Sequence, residues 1–417
     1  MKNATFVASM LLIGILLFGC ASMNNTNYTP NYTSNYTPDN INYTQNYTSN
    51  YTQNYTTNAS PENISPIGTY KGGPIFIKED KAFTAANGVV SGSGTAADPY
   101  IIEGWTIDAS ASNASVEPWI NYGILISQTS KYFVIRNCRV ENSTGYSVGI
   151  SLGLLKNGRV ENCTVANGFT GILIDGCHNV VVSGNTIENC KDDAIYNVGY
   201  FSEGITISNN VITNCKGTGI DFHYFKDSFV TGNTIRNGGS GIRVTATTNS
   251  TISNNIIQGN TYDGISISNS NWKGGKDWVG GDNNIISNND VSNNGGTGIS
   301  VPCISDTYDS ITNNTVNGNK WGIQLSGMNV KTANNNIISH NTANNNKENG
   351  FYVDTGCVGN TVSYNTFLSN NANNEFYIDT WGTKERLPRW YDMYIYNQNN
   401  IFTENTYGTI YIYPTKS

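Results

Sequence analysis

Histidine is scarce in this 417-residue chain, with three copies, and methionine is nearly as rare, with five. Neither recurs at a metal-ligand spacing, so no metal centre is expected. No cofactor is called for either, and calcium, though possible, has no support in the sequence. Charged residues make up only 13% of the chain, with a formal charge of −7. A basic patch for nucleic acid is therefore missing. No glycine loop matches a phosphate cradle. Beyond the first twenty residues no apolar run is long enough to span a bilayer. Helix-length 3.6-residue periodicity is absent as well, which argues against an α-helical fold.

What is present begins with an export signal. Met1-Lys2 is followed by an apolar run from Phe6 to Phe18 and then Gly19-Cys20. A basic start and a short apolar stretch describe a leader over 1–19. The small residue before Cys20 resembles a lipobox, which makes Cys20 the expected lipid attachment point; an ordinary signal with a chance cysteine is the alternative. Residues 20–68 are low in complexity. Asn-Tyr-Thr recurs at Asn27, Asn31, Asn35, Asn42, Asn46, Asn50 and Asn54, and Asn58 and Asn63 add two further sequons. Such a tract cannot build a core, so it reads as a disordered, glycosylated stalk, or as an unmodified linker if the host lacks the machinery. The expected location is the extracellular face of the cell membrane, reached only through the lipid anchor.

The body is a repeat. A four-residue pattern, apolar-small-any-Asn, recurs as Val182 to Asn185, Ile207 to Asn210, Val230 to Asn233, Ile252 to Asn255 and onward to Phe402 to Asn405. Two earlier copies put Cys138 and Cys163 in the Asn slot. Between these marks Gly-Ile-x-apolar repeats, as at 171–174, 219–222 and 241–244. Short alternating strands between Gly/Asn turns at this period describe an all-β solenoid, a single-stranded parallel β-helix of about eleven coils. The Asn positions would stack as a ladder, and Ile172, Ile174, Ile220, Phe222, Ile242 and Val244 would point inward. Stacked Cys138/Cys163 and Cys190/Cys215 permit either inter-coil disulfides or buried thiol ladders. Residues 69–115 are expected to form the N-terminal cap, and 116–417 the β-helix with its C-terminal cap.

The stretches "GSGTAADPYIIEGWTI" (92–107), "YGILI" (122–126) and "YFVIRNCRV" (132–140) resemble the opening of NosD-like right-handed β-helix domains in archaeal surface proteins. The resemblance covers roughly residues 75–412. It implies a right-handed solenoid and, as partners, polysaccharide or cell-surface glycans.

Aligned coil by coil, the outward positions gather one functional mix: Tyr196, Asp221, His223 and Arg243 on neighbouring strands, with Asp175 nearby and Lys191 and Asp193 in the feeding turn. A cation for a sugar carboxylate, a base for the C5 proton and an acid for the leaving oxygen are the parts of uronate chemistry. The segment Gly219-Ile220-Asp221-Phe222-His223 is similar to the Tyr-Gly-Phe-Asp-Pro-His signature of mannuronan epimerases and related lyases. Asp221 and His223 match it, while Thr218 and Phe222 replace its Tyr and Pro; Lys191 and Asp193 resemble that family's Lys-x-Asp. That resemblance implies catalytic roles for Lys191, Asp193, Asp221 and His223, with Tyr196 on the adjacent strand in place of the signature Tyr; the uronate chemistry of the cluster adds Arg243 as the cation. The plainer reading is a solvated sheet face with a cross-strand ion pair, or a glycan-contacting face. The insertion "NWKGGKDWVGGD" (271–282) adds Trp272 and Trp278 as candidate sugar-stacking residues alongside Asp175. The aromatic segment 381–396 reads as an interruption and cap over the last coils. Two functions follow: a surface-displayed glycan binder without catalysis, or a polysaccharide lyase or C5-epimerase.

Overall fold

The computed structural model describes residues 68–69 and 73–413, without 111–120, 143–144, 198–200, 269, 274–276, 280–281, 304–307, 328–331, 334, 355–356, 371–375, 378–386, 389–392, 397–399 and 409. The leader, Cys20 and the nine sequon asparagines lie outside the described residues.

Each coil contributes one strand to each of three sheets. Sheet I runs from Val89–Ser91 through Val181–Ser183 to Ile401–Thr403, thirteen strands in sequence order. Sheet II runs from Gly68–Thr69 to Asp290–Ser292 in nine strands and continues through single bridges at Thr315, Thr342 and Thr366. Sheet III runs from Ile75–Ile77 through Thr218–His223 to Ile410–Tyr413, again thirteen strands. Pairing between successive coils is parallel, with the antiparallel pair Val89–Ser91/Tyr100–Glu103 at the start of sheet I. The rung count among the described residues thus differs slightly from the eleven expected, because the first two rungs of sheet I, Val89–Ser91 and Tyr100–Glu103, lack the Asn mark while the last, Ile401–Thr403, carries it at Asn405.

Alternation along three-residue strands sends the middle residue inward. In sheet I that residue is Ile or Val in coil after coil: Ile135, Val160, Val182, Ile207, Val230 and Ile252 stack directly on one another, all buried. Branched side chains suit such a stack because their restricted rotamers match the pleated surface and fill it without gaps. In sheet III, Gly219 of the Gly-Ile motif allows close approach. A Cβ there would stand 2.5 Å from Ile235 Cγ2 and 2.9 Å from the Gly241 carbonyl oxygen.

The corners hold the polar interior. After sheet I, Asn185, Asn210, Asn233, Asn255, Asn289, Asn314, Asn341 and Asn365 are fully buried and stacked. The Asn210 side-chain oxygen accepts both the backbone N–H and the side-chain amide of Asn185, each at 2.9 Å. Its own amide then donates to the Val182 carbonyl at 2.9 Å. The pattern repeats up the column to Asn405. These bonds satisfy corner backbone that no strand can reach. Two further ladders were not legible in the repeat. One follows sheet II (Asn260, Asn294, Asn319, Asn346, Asn370), and the other precedes sheet I (Ser228, Ser250, Asn284, Asp309, Asn336, Asn360, Asn400).

Cys138, Cys163, Cys177, Cys190 and Cys215 are free and buried, so the stacked pairs are thiol ladders; Cys357 is disulfide-bonded. Burial pushes the Cys177 thiol up to about 12. Within the C-terminal aromatic segment, Met393–Tyr396 is a regular rung of sheet III, paired with Phe351–Val353 and Ile410–Tyr413. The rest of the segment expected to interrupt the coils, apart from Leu387–Pro388, lies outside the described residues.

Candidate functional site

Three adjacent rungs of sheet III, Ile195–Tyr196, Thr218–His223 and Ser240–Thr245, bring the predicted residues together. Register sets Tyr196 against Asp221 on one side and Arg243 against Asp221 on the other. Inward Ile220 and Phe222 hold the central strand down, so Asp221 and His223 share its opposite side.

Asp221 is the hub. Arg243 Nε donates to its Oδ1 at 3.0 Å, and Arg243 Nη2 donates to its Oδ2. His223 Nε2 lies 3.4 Å from the same Oδ1. The Tyr196 ring meets the His223 ring edge-on, with centroids 6.3 Å apart and planes at 89°. An outward position was expected to be solvated, but Asp221 is 0% exposed. Its neighbours along the solenoid axis close over it: Tyr196 is half-buried, while Arg243 and His223 keep part of their surface in solvent.

The electrostatics follow from this enclosure. Burial would raise the Asp221 carboxyl, but hydrogen bonds from Arg243 and His223 hold it below the ordinary carboxylate range. The Arg243 guanidinium is raised in turn, chiefly by its bond to Asp221. Burial and then the Asp221 charge push the Tyr196 phenol well up, so it stays a hydrogen-bond donor. Asp192 is raised by burial and by Asp221, and Asp193 is pushed up to about 7 by burial, Asp221 and Asp192.

Asp193 has a backbone task. Its Oδ1 accepts the Thr218 N–H at 2.5 Å, as Asp263 Oδ1 accepts the Thr297 N–H at 2.7 Å in a later coil. The same bracket appears at Asp263, away from this cluster, so it belongs to the turn. Lys191 is exposed at the rim, its amide bonded to the Gly168 carbonyl at 2.9 Å.

The three expected sugar contacts fare differently. Asp175 ends its strand immediately before the corner at Gly176 (φ +62°) and is 5% exposed. Asp175 is thus buried at the end of its strand. Trp272 and Trp278 sit on the two strands of an antiparallel hairpin, Ser270–Lys273 and Asp277–Val279; their side chains lie outside the described residues. Sequence reasoning undervalued Asp192, whose charge bears on this cluster, and missed Asp309, whose only signal was an Asp at a position that is Asn one coil before and after.

A three-sheeted parallel solenoid with a polar face on one sheet defines the class. The chain belongs to the right-handed β-helix family, whose description is "right handed beta helix region" and whose model matches residues 100–225, 198–330 and 227–417. No curated protein matches its sequence. Among solved structures it is similar to the A-module of the Azotobacter vinelandii mannuronan C-5 epimerase AlgE6, at 13% identity over 83% of this chain and 97% of that one, with a TM-score of 0.51. It is also similar to the Dettilon tailspike protein, at 14% identity over 79% and 60% of the two chains, with a TM-score of 0.50. A DFA-IIIase from Arthrobacter chlorophenolicus A6, without its lid and in complex with GF2, matches at 13% identity over 72% and 74%, with a TM-score of 0.47. At these identities the likeness is one of fold.

Proposed function

We propose that this protein is a surface-anchored β-helix that binds polysaccharide or surface glycans on the outward face of sheet III, without catalysis and without a cofactor. One observation carries the reading: Asp221, the best-placed base, is wholly buried and committed to Arg243 and His223. A carboxylate held in that state has neither the access nor the basicity to take a C5 proton. The partly exposed His223 and Arg243 and the exposed Lys191 remain as hydrogen-bond donors for sugar hydroxyls or carboxylates. In this reading the Asn-Tyr-Thr tract is a glycosylated stalk and Cys20 its lipid anchor, displaying the solenoid outside the cell as in NosD-like archaeal surface proteins.

The second reading, a uronate C5-epimerase or lyase, draws support from Asp193, a carboxyl pushed up to about 7 beside Asp221, within an arrangement similar to that family's motif. Affinity electrophoresis through gels containing acidic or neutral polysaccharides tests binding. Retardation that weakens several-fold in Lys191→Ala and His223→Ala is the expected result. Unretarded migration on every polysaccharide refutes the binding proposal. Ultraviolet absorbance from unsaturated product, or proton exchange at C5, that vanishes in His223→Ala would establish the enzyme instead.

A further inference from the structure

Sheet I carries a face that the site on sheet III does not use. From Val181–Ser183 onward its strands are three residues long, with their first and third residues on the outward side, though Ser339 and Ser363 are largely covered at 8% and 9% exposed. From Val181–Ser183 to Ile401–Thr403 the nine rungs stay in register. The third position is Ser or Thr in every one of the nine, from Ser183 to Thr403. The first position alternates. Phe229, Ile285, Ile337 and Ile401 occupy every second rung and are 51%, 45%, 49% and 57% exposed. Thr206, Thr251, Ser310 and Thr361 fill the rungs between them. Neither column contains a charged residue, although the protein carries a formal charge of −7.

We infer that this face binds a second copy of the chain, docked antiparallel about a two-fold axis that passes between the Ile285 and Ser310 rungs. Rungs repeat at ~4.8 Å, so the large side chains form knobs ~9.6 Å apart with small hydroxyl gaps between them. A two-fold axis at that point sets every knob against a gap. Ile285 faces the partner's Ser310, Ile337 faces the partner's Thr251, Phe229 faces the partner's Thr361, and Ile401 faces the partner's Thr206. The contact is isologous, each pair occurring twice.

Three considerations select a second copy over another occupant. Over eight facing rungs only an identical rung spacing stays in step, whereas a linear polymer with its own repeat drifts out of register with the knobs. The absence of charge from both columns lets two negatively charged molecules meet here without repulsion at the contact. Eight rungs, from Thr206 to Ile401, face one another over about 34 Å, and two such faces packed at sheet-to-sheet distance bury on the order of 1,000 Å² in total, the threshold for a specific interface.

Sedimentation equilibrium of the full chain tests this. The wild type is expected at twice the mass of a single chain. Ile285→Lys, an exposed position whose change leaves the circular dichroism spectrum unaltered, is expected to weaken the dimer by about ten-fold or more. Adding Ser310→Asp places a carboxylate opposite that lysine and is expected to restore the dimer, while adding Ser183→Asp, which is not opposite it, is not. A monomeric wild type at high micromolar concentration overturns the inference, as does a dimer indifferent to Ile285→Lys or a rescue equal for the two aspartates. A monomer that loses polysaccharide binding on Ile285→Lys also overturns it, assigning the face to a glycan.

Discussion

Replacing Asp309 by asparagine should stabilise this protein, and the gain should grow with pH. Asp309 occupies a rung of the ladder that precedes sheet I, between Asn284 and Asn336. Its Oδ1 accepts the Asn284 N–H at 2.8 Å, as an asparagine oxygen would. Its Oδ2 occupies the place of an amide nitrogen, is buried, and has no hydrogen-bond partner among the described residues. Burial pushes the carboxyl up to about 7 from an ordinary value of 3.8, with the Asn284 hydrogen bonds opposing the rise. Below the ordinary value both folded and unfolded chains hold the proton, and the rung behaves as an asparagine mimic. As pH rises the unfolded chain ionises first, so stability falls until the folded carboxyl ionises near 7, and then levels off. A displacement of about 3 units at 1.36 kcal/mol each makes the charged rung cost roughly 4 kcal/mol at pH 8. Asp309→Asn removes that cost, whereas at pH 4 its advantage shrinks to about 1 kcal/mol, the net worth of one amide hydrogen bond. Asp193, also pushed up to about 7, gives a slope of the same sign in both proteins and so cancels from the comparison. Denaturant unfolding at pH 4 and pH 8 measures the difference. An equal shift at both pH values, or none at pH 8, refutes the protonated-rung argument.

Arg243→Ala strips Asp221 of its bidentate partner and leaves a buried carboxylate; about 3–5 kcal/mol of stability should be lost at neutral pH. Because Asp221 is held below its ordinary value in the native protein, its contribution is present at neutral pH and fades as acid protonates it. The penalty of Arg243→Ala should therefore shrink below about pH 4, which an acid series of melting curves would check. Asn289→Ala deletes a rung whose side chain takes part in bonds to Asn255, Asn314 and the Ile252 carbonyl. Several kcal/mol should be lost, since buried groups at Asn255 and Ile252 are left unsatisfied. A loss under about 0.5 kcal/mol would show that the ladder is incidental to the corner.

The architecture was legible because a solenoid writes its tertiary contacts as sequence periodicity. Val182, Ile207 and Val230 are neighbours in space for the same reason that they recur in the chain, and Asn185, Asn210 and Asn233 likewise. The ladder before sheet I escaped because its rungs mix Ser, Asn and Asp, which share a side-chain oxygen that no single letter marks; the one after sheet II escaped because Asn fills its slot only from Asn260 on, with Cys190, Cys215 and Gly238 in the coils before.

At the candidate site the division is sharper. Strand register and alternation, both readable in the chain, determined that Tyr196, Asp221 and Arg243 lie side by side and that His223 shares their face. Burial was decided only by the fold. Whether an outward carboxylate meets water depends on the side chains one rung above and below and on the turn at Asp192–Asp193, all about one coil away in sequence. The stacked rungs enclose Asp221 and align Arg243 for a two-point bond, and this turns a candidate base into a fixed charge. Local pattern sets which residues meet; packing between coils sets whether they stay available for chemistry.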